Sequence, residues 1–572
     1  METTLEVLAP IGNTMLISLA VIGGTYAAVR TLREALYHMR RKAATIEGDC
    51  PDEFDDVLRT ILANVGEGRE DGCQVAVTRN GELVVDLAVT AGWPGWRWKM
   101  KRDSLLCVFS SGKVLESLCM AIADDQGWLR LGEHVHRVWP GFATGDAHVK
   151  RNAKGKQFDK REVKVSDIMA HRAGLALVDP PIDFSSIAGF HEPLSPGAET
   201  LREILAAQPI RYFKSDAERE TLYMATTRGA YFSVLLALRD PKRRGFNSLM
   251  REEVLAKINS ARGDAPLAEA YCPLPAHLNE RVIPKSIGGI GWVVARAILQ
   301  HLLPRAVLEV FIDSSRLITP EEARITRTFA TRPFVNASRD WLKADGVHTP
   351  EAPLRGESFI DRILNAIVPG RKPSRAFIAC MNSDAVRNGI GNTSYNCYSN
   401  ARSLARIASA FVTTNTNSRN DPDAAILTAA AIQRATASAG ICFDEGLGRD
   451  FEYSDSGFGL DVGNFSRSNV CKSLKGWHGW YGLCGSCVLF NFELGMTFSY
   501  VPTRFEGRPD RFRARRLLKA VVAAEARTRH TRLIARSRRD KQFMKEYMQT
   551  AAGIPHRRSA PATASEHETM CM

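Results

Sequence analysis

Two short runs, Gln74 to Thr78 and Leu83 to Ala88, flank Arg79-Asn80-Gly81, and their spacing predicts a β-hairpin around that turn. A helical period follows. Between Leu105 and Trp128, the residues Leu115, Leu118, Cys119 and Ile122 recur at i, i+3, i+4 and i+7, with Gly127 near the end. Further helices are predicted at Thr226 to Leu238 and Asn400 to Val412. Ser486 to Asn491 and Met496 to Val501 read as two strands joined by a turn at Phe492 to Gly495. With strands at both extremes of the body and helices between, the pattern predicts an α+β fold whose N-terminal and C-terminal strands share one antiparallel sheet. Residues 300–375 mix apolar runs with charged turns and are expected to form a helical insertion or lid.

The chain has 572 residues, 45% hydrophobic and 24% charged, a balance that excludes wholesale disorder, collagen-like repeats and a polytopic membrane protein. Its net charge of +13 is concentrated at one end: Arg504 to Lys545 holds 15 Lys or Arg against four acids, a surplus of 11. The body is therefore nearly neutral, which argues against a general nucleic-acid role. Twelve cysteines lie scattered without disulfide-module spacing, pointing to a reducing compartment. Cys484 and Cys487 have C-x-x-C spacing, but no second pair completes a tetrahedral metal set, so two small residues on a buried strand is the preferred reading. No metal or organic cofactor is implied.

Leu8 to Val29 is a 22-residue stretch without a charge. At ~1.5 Å per residue it is long enough for the ~30 Å hydrocarbon layer, and it is read as an N-terminal membrane anchor. Arg30, Arg33, Arg40, Arg41 and Lys42 follow, placing the remainder on the cytosolic or matrix side. Pro10, Asn13 and Gly23-Gly24 leave open a buried or interfacial helix instead. The basic C-terminal segment reads as a long amphipathic helix whose first part packs on the body. Its remainder is a solvated face or a contact for anionic lipid, with nucleic acid the least favoured partner. The organisation expected is thus an anchor and basic flank over 1–45, a folded body over 46–505, and a basic helix with a disordered tail over 506–572.

Ser110-Ser111-Gly112-Lys113 is the chain's one S-x-x-K. With Ser110 on the first turn of the predicted helix, Lys113 lies on the same face, and a desolvated lysine can accept a serine's proton. Alone, the pattern is common by chance. The surrounding residues carry more: Ala123-Asp-Asp-Gln-Gly-Trp-Leu-Arg-Leu131, Val138-Trp-Pro-Gly-Phe142, Val165 to Leu175, Tyr223-Met-Ala-Thr-Thr-Arg-Gly229, Asn400 to Arg406 and Trp480-Tyr-Gly-Leu-Cys-Gly-Ser486. In that order, over about residues 50 to 505, they resemble the serine β-lactamase-related family. That family comprises class C β-lactamases, low-molecular-weight penicillin-binding proteins, related esterases and eukaryotic lactamase-like proteins.

The resemblance implies a β-lactamase/transpeptidase-like fold, an antiparallel sheet flanked by helices with a helical region beside it. It further implies Ser110 as acylated nucleophile, Lys113 as its proton partner and Tyr223 as the second-motif tyrosine. The second-motif asparagine of many lactamases is Ala225 here, which argues against lactam specialisation. The third motif is Trp480-Tyr481-Gly482 on an ungapped count, with His478-Gly479-Trp480 as competitor. Trp480 would then present an apolar wall where a lysine binds a carboxylate, Gly482 would let the strand approach substrate closely, and His478 would line the pocket. The backbone N–H groups of Ser110 and Leu483 would form the oxyanion hole. His171 is expected to be structural. The reading is a membrane-anchored serine hydrolase acting by acyl transfer on ester or amide substrates rather than antibiotics. Its rival is a membrane-attached scaffold of the same fold without catalysis.

Overall fold

The computed structural model describes residues 27–28, 30–32, 34–92, 98–143, 149–151, 157–176, 178, 187, 189–210, 221–260, 267–286, 381–412, 426–444, 447, 449–462, 474–505 and 512–552. Six strands form its central antiparallel sheet: β1 (Thr45–Asp49), β2 (Gly72–Arg79), β3 (Glu82–Thr90), β4 (His478–Tyr481), β5 (Cys487–Asn491) and β6 (Met496–Pro502). Their spatial order is β1-β3-β2-β6-β5-β4. β6 pairs with β2 from Met496 opposite Arg79 to Pro502 opposite Cys73, so the two ends of the body meet in one sheet as the sequence pattern predicts. Asn80 and Gly81 carry φ of 52° and 85°, the positive pair that a tight turn between right-twisted strands requires.

All seven residues of β6 are buried, which requires cover on both faces of the sheet. Helix α4 (Ala401–Ala408) lies against β2, β5 and β6. Asn400, the predicted first residue of α4, is its N-cap, accepting from the Ser403 amide at 2.8 Å. Helices α1 (Asp55–Gly66) and α5 (Phe512–Ala552) pack together, burying Val57, Ile61 and Val65 against Leu517, Leu518 and Val521.

Part of the charge of α5 is answered from within. Arg513 meets Glu70, Arg516 meets Glu67, Arg527 meets Asp56 and Arg529 meets Glu525, so its first half is an intramolecular partner. An ion pair already formed leaves less charge for a lipid surface.

The helix expected from Leu105 to Trp128 is shorter. Leu106 and Cys107 pair with Ser399 and Tyr398 as a small strand, Phe109–Gly112 is a 3-10 turn, and the α-helix α2 runs Lys113–Asp125. Apolar periodicity alone cannot separate a buried strand from a helix entry, and the strand pairing consumes the first residues. Helix α3 (Thr227–Arg239) lies within one residue of its predicted limits.

Residues 300–375 and most of the Leu8 to Val29 stretch lie outside the described residues. Among the described residues, no helix is long and apolar enough to cross a membrane.

Candidate active site

Ser110 occupies the 3-10 turn, not the α-helix, and the residue before it, Phe109, has φ of 49°. Left-handed backbone at a bulky residue is uncommon and persists only where surroundings enforce it. Here the ring of Phe109 is buried, and Ser486 Oγ donates to the Val108 carbonyl at 2.7 Å. The turn is thus held from both sides. Ser110 itself is half-buried in a run of buried residues.

Lys113 opens α2 with no exposed surface. Its Nζ donates to the carbonyls of Ala225 at 2.7 Å and Ser394 at 2.9 Å. Burial pulls the ammonium down to about 7, opposed by the nearby Glu116 carboxylate and reinforced by Arg228. Two carbonyls match the two hydrogens of a neutral amine and leave its lone pair for a proton.

Tyr223 lies beside them, with Lys113 Nζ 5.0 Å from its ring centroid. A hydrogen bond joins the Ser110 and Tyr223 side chains, and burial pushes the phenol up to about 12 despite that bond and one from Trp480. The structure therefore brings the predicted alcohol, amine and phenol into one cluster. Ser110, Ala225 and Leu483 are its partly exposed positions.

Trp480 corrects an expectation. It is 3% exposed, packed against Tyr223, Phe451 and Tyr453, and its indole N–H donates to the Tyr223 hydroxyl at 3.1 Å. It is a support for the phenol rather than an apolar wall of an open pocket. Gly482 is also placed differently. A Cβ there would lie 2.3 Å from the Val108 carbonyl and 2.2 Å from Ser486 Oγ, so the close approach is to the nucleophile's own turn. Leu483 follows, half-buried, in the turn closed by Gly485 N–H to Gly482 O at 3.0 Å.

His478 stands apart from this cluster. Its Nδ1 accepts from the Asp461 amide at 3.2 Å, its ring lies beside Phe490 and Phe492, and burial lowers it to about 4. His171 is buried, with Nδ1 accepting from the Met224 amide at 3.0 Å, so it fixes the backbone next to Tyr223. Burial, with Arg228 and Lys113 near, holds its imidazole well below the usual range, and it stays neutral.

Sequence reasoning missed the layer beneath. Glu116 and Arg228 are both fully buried, paired at 2.6 Å. Thr393 and Ser394 hydroxyls donate to the same carboxylate at 2.8 and 2.9 Å, while Arg228 also holds the Lys113 carbonyl at 2.7 Å. A buried pair survives only with such additional partners. The available signal was Glu116, the one charge between Val114 and Ala123, three residues after Lys113. Asp444 was missed too: it accepts from the Tyr223 amide at 3.2 Å and the Tyr453 hydroxyl at 2.8 Å.

Among the described residues, no group of three or more His, Cys, Asp or Glu is arranged to hold a metal ion. Cys484 and Cys487 are both buried.

Residues 54–297 match the beta-lactamase family model. A penicillin-binding protein homolog from Caulobacter crescentus superposes with TM-score 0.55 at 21% identity, covering 84% of this chain and 100% of its own. A family VIII carboxylesterase gives TM-score 0.56 at 19% identity, covering 84% and 100%. EstA from Arthrobacter nitroguajacolicus Rue61a gives 0.54 at 18%, covering 84% and 99%. No curated protein matches the chain. At these identities the solved structures establish a shared β-lactamase/transpeptidase-like α+β fold. Over residues 54–297, somewhat under half of its length, the chain is similar to the beta-lactamase family.

Proposed function

We propose that the protein is a serine hydrolase acting by acyl transfer through Ser110, on esters or amides without a carboxylate beside the scissile bond. The observation that carries this reading is the lysine: a fully buried Lys113, brought down to about 7 and beside Tyr223, which bonds Ser110. A lysine so placed is a base at neutral pH.

In this mechanism Ser110 Oγ attacks the substrate carbonyl carbon, and its proton passes through Tyr223 to Lys113. The carbonyl oxygen becomes an oxyanion received by the Ser110 and Leu483 amides. Collapse breaks the bond to the leaving group, whose oxygen or nitrogen takes the proton back through Tyr223. Water repeats the sequence on the acyl-enzyme and releases the acid.

Position 480 supports the substrate class, because the indole there is turned to Tyr223 and supplies no cation for a substrate carboxylate. The family VIII carboxylesterase and the penicillin-binding protein homolog share the fold, and esters suit this site better than D-Ala-D-Ala peptides. Attachment to a membrane through Leu8 to Val29, body on the cytosolic or matrix side, is part of the proposal and rests on that stretch's length and its basic flank.

The test is hydrolysis of p-nitrophenyl butyrate against that of benzylpenicillin. The proposal expects turnover of the ester that is lost in Ser110→Ala, with little or none of the lactam. A folded protein inert toward esters would favour a non-catalytic scaffold, and efficient penicillin turnover would overturn the substrate class.

A further inference from the structure

Helix α5 reaches the turn that carries Leu483. Arg513, in its first turn, is 2% exposed and paired with Glu70 at 3.1 Å. Its Nη1 also donates to the Arg69 carbonyl at 3.1 Å. The other nitrogen, Nη2, donates to the Arg504 carbonyl at 2.6 Å and to the Cys484 carbonyl at 3.2 Å. Glu70 is itself fixed by the Tyr500 hydroxyl, on β6 of the central sheet. One planar guanidinium thus ties the end of β6, the segment before β2, and the Gly482–Gly485 turn to α5.

Cys484 matters because of its place in that turn. Gly485 N–H closes onto Gly482 O, so Leu483 and Cys484 are its two central residues. Gly482 donates to the Ser486 carbonyl at 2.7 Å, and Ser486 Oγ holds Val108 at the base of the Ser110 turn. The turn is therefore clamped to the nucleophile's backbone on one side and to Arg513 on the other. With both clamps set, the Leu483 amide has one orientation relative to Ser110. An oxyanion donor must be oriented before the reaction, since reorienting it during the reaction cancels its benefit.

We infer that Arg513 is a positioning residue for the oxyanion hole, so that the C-terminal helix is part of the catalytic apparatus rather than an appendage. The inference rests on the acyl-transfer reading for its effect on rate, but its structural content does not. Arg513 holds the Cys484 carbonyl and thereby fixes the Leu483 amide. Lysine in its place retains a charge for Glu70 but has no planar fork to reach Glu70 and two carbonyls together.

Two readouts on the full chain test this. In Arg513→Lys, hydrogen exchange of the peptide spanning 482–486 is expected to quicken at least tenfold, while the β2–β3 hairpin keeps its protection. Unchanged exchange in the turn overturns the inference whether or not the protein is an enzyme. With p-nitrophenyl butyrate, kcat is expected to fall about 10- to 100-fold with KM within twofold, as misplacement of a transition-state donor demands. Wild-type turnover with an unchanged kcat in the variant overturns the inference alone, whereas wild-type inertness strikes the acyl-transfer reading and leaves the exchange result to decide. If Arg513→Lys fails to fold, Glu70→Gln takes its place, with the same expected and contradicting results.

Discussion

The indole N–H of Trp480 donates to the phenol oxygen of Tyr223 at 3.1 Å, and the two rings lie 5.4 Å apart, tilted by 33°. The bond occupies one lone pair of the phenol and turns its remaining hydrogen-bonding capacity toward Ser110. It also stabilises negative charge on that oxygen, and so opposes the upward push of burial.

Replacing Trp480 by Phe keeps the aromatic packing and deletes the donor. We expect kcat for ester hydrolysis to fall about three- to tenfold, the worth of one net hydrogen bond, with KM almost unchanged. A large KM effect with constant kcat would instead return Trp480 to the role of a substrate wall. Steady-state kinetics on one activated ester distinguishes the two.

The lysine sets the pH dependence. Its pKa is depressed to about 7, so the neutral base form accumulates as pH rises through that value. We expect kcat/KM to increase from acid pH through about 7 and then level off. Arg228 lowers this pKa and Glu116 raises it. Arg228→Met should therefore move the acidic limb to higher pH, and Glu116→Gln to lower pH. The opposite signs, read from pH–rate profiles of the two variants, are the check.

The same pair supports the fold. Removing one partner leaves a charge buried alone, and Arg228→Met should cost about 3–5 kcal/mol of stability. The double variant Glu116→Gln/Arg228→Met removes both charges and should recover part of that loss. Urea denaturation of the wild type and both variants measures it; equal midpoints for wild type and single variant would refute the assignment.

Gly482→Ala places a methyl against Val108 O and Ser486 Oγ, where the backbone must shift. We expect about 1–3 kcal/mol of destabilisation, together with loss of ester turnover. Gly132→Ala is the control, because a Cβ there meets nothing within 4 Å. Thermal melting of the two variants, side by side, gives the comparison.

Ser110 and Lys113 stood out in the sequence through their three-residue spacing, whereas Tyr223 was named only by the family resemblance. The sheet was legible because Gln74 to Thr78 and Met496 to Val501 carry strand patterns bounded by turn residues. The Glu116–Arg228 pair was not. Each charge looks like a solvated helix position until distant chain covers it: Thr393 and Ser394, about 280 residues on, close over Glu116, and the Met169 and Gly457 carbonyls close over Arg228. The contacts of Trp480 and His478 were equally hidden. Both sit on β4, and which one reaches Tyr223 depends on strand placement, aided by Gly479 with φ of 128°. The start of α2 was misjudged for a similar reason: Leu106 and Cys107 find their strand partners at Tyr398 and Ser399, far along the chain.

The central claim is that Ser110 is a nucleophile activated by its neighbours. Incubating the folded full-length protein with a fluorophosphonate, followed by mass mapping of peptides, tests it directly. The account predicts one adduct, on the peptide bearing Ser110, absent from Ser110→Ala and strongly slowed in Lys113→Met. Labelling on a different residue, or none on folded wild-type protein, would contradict it.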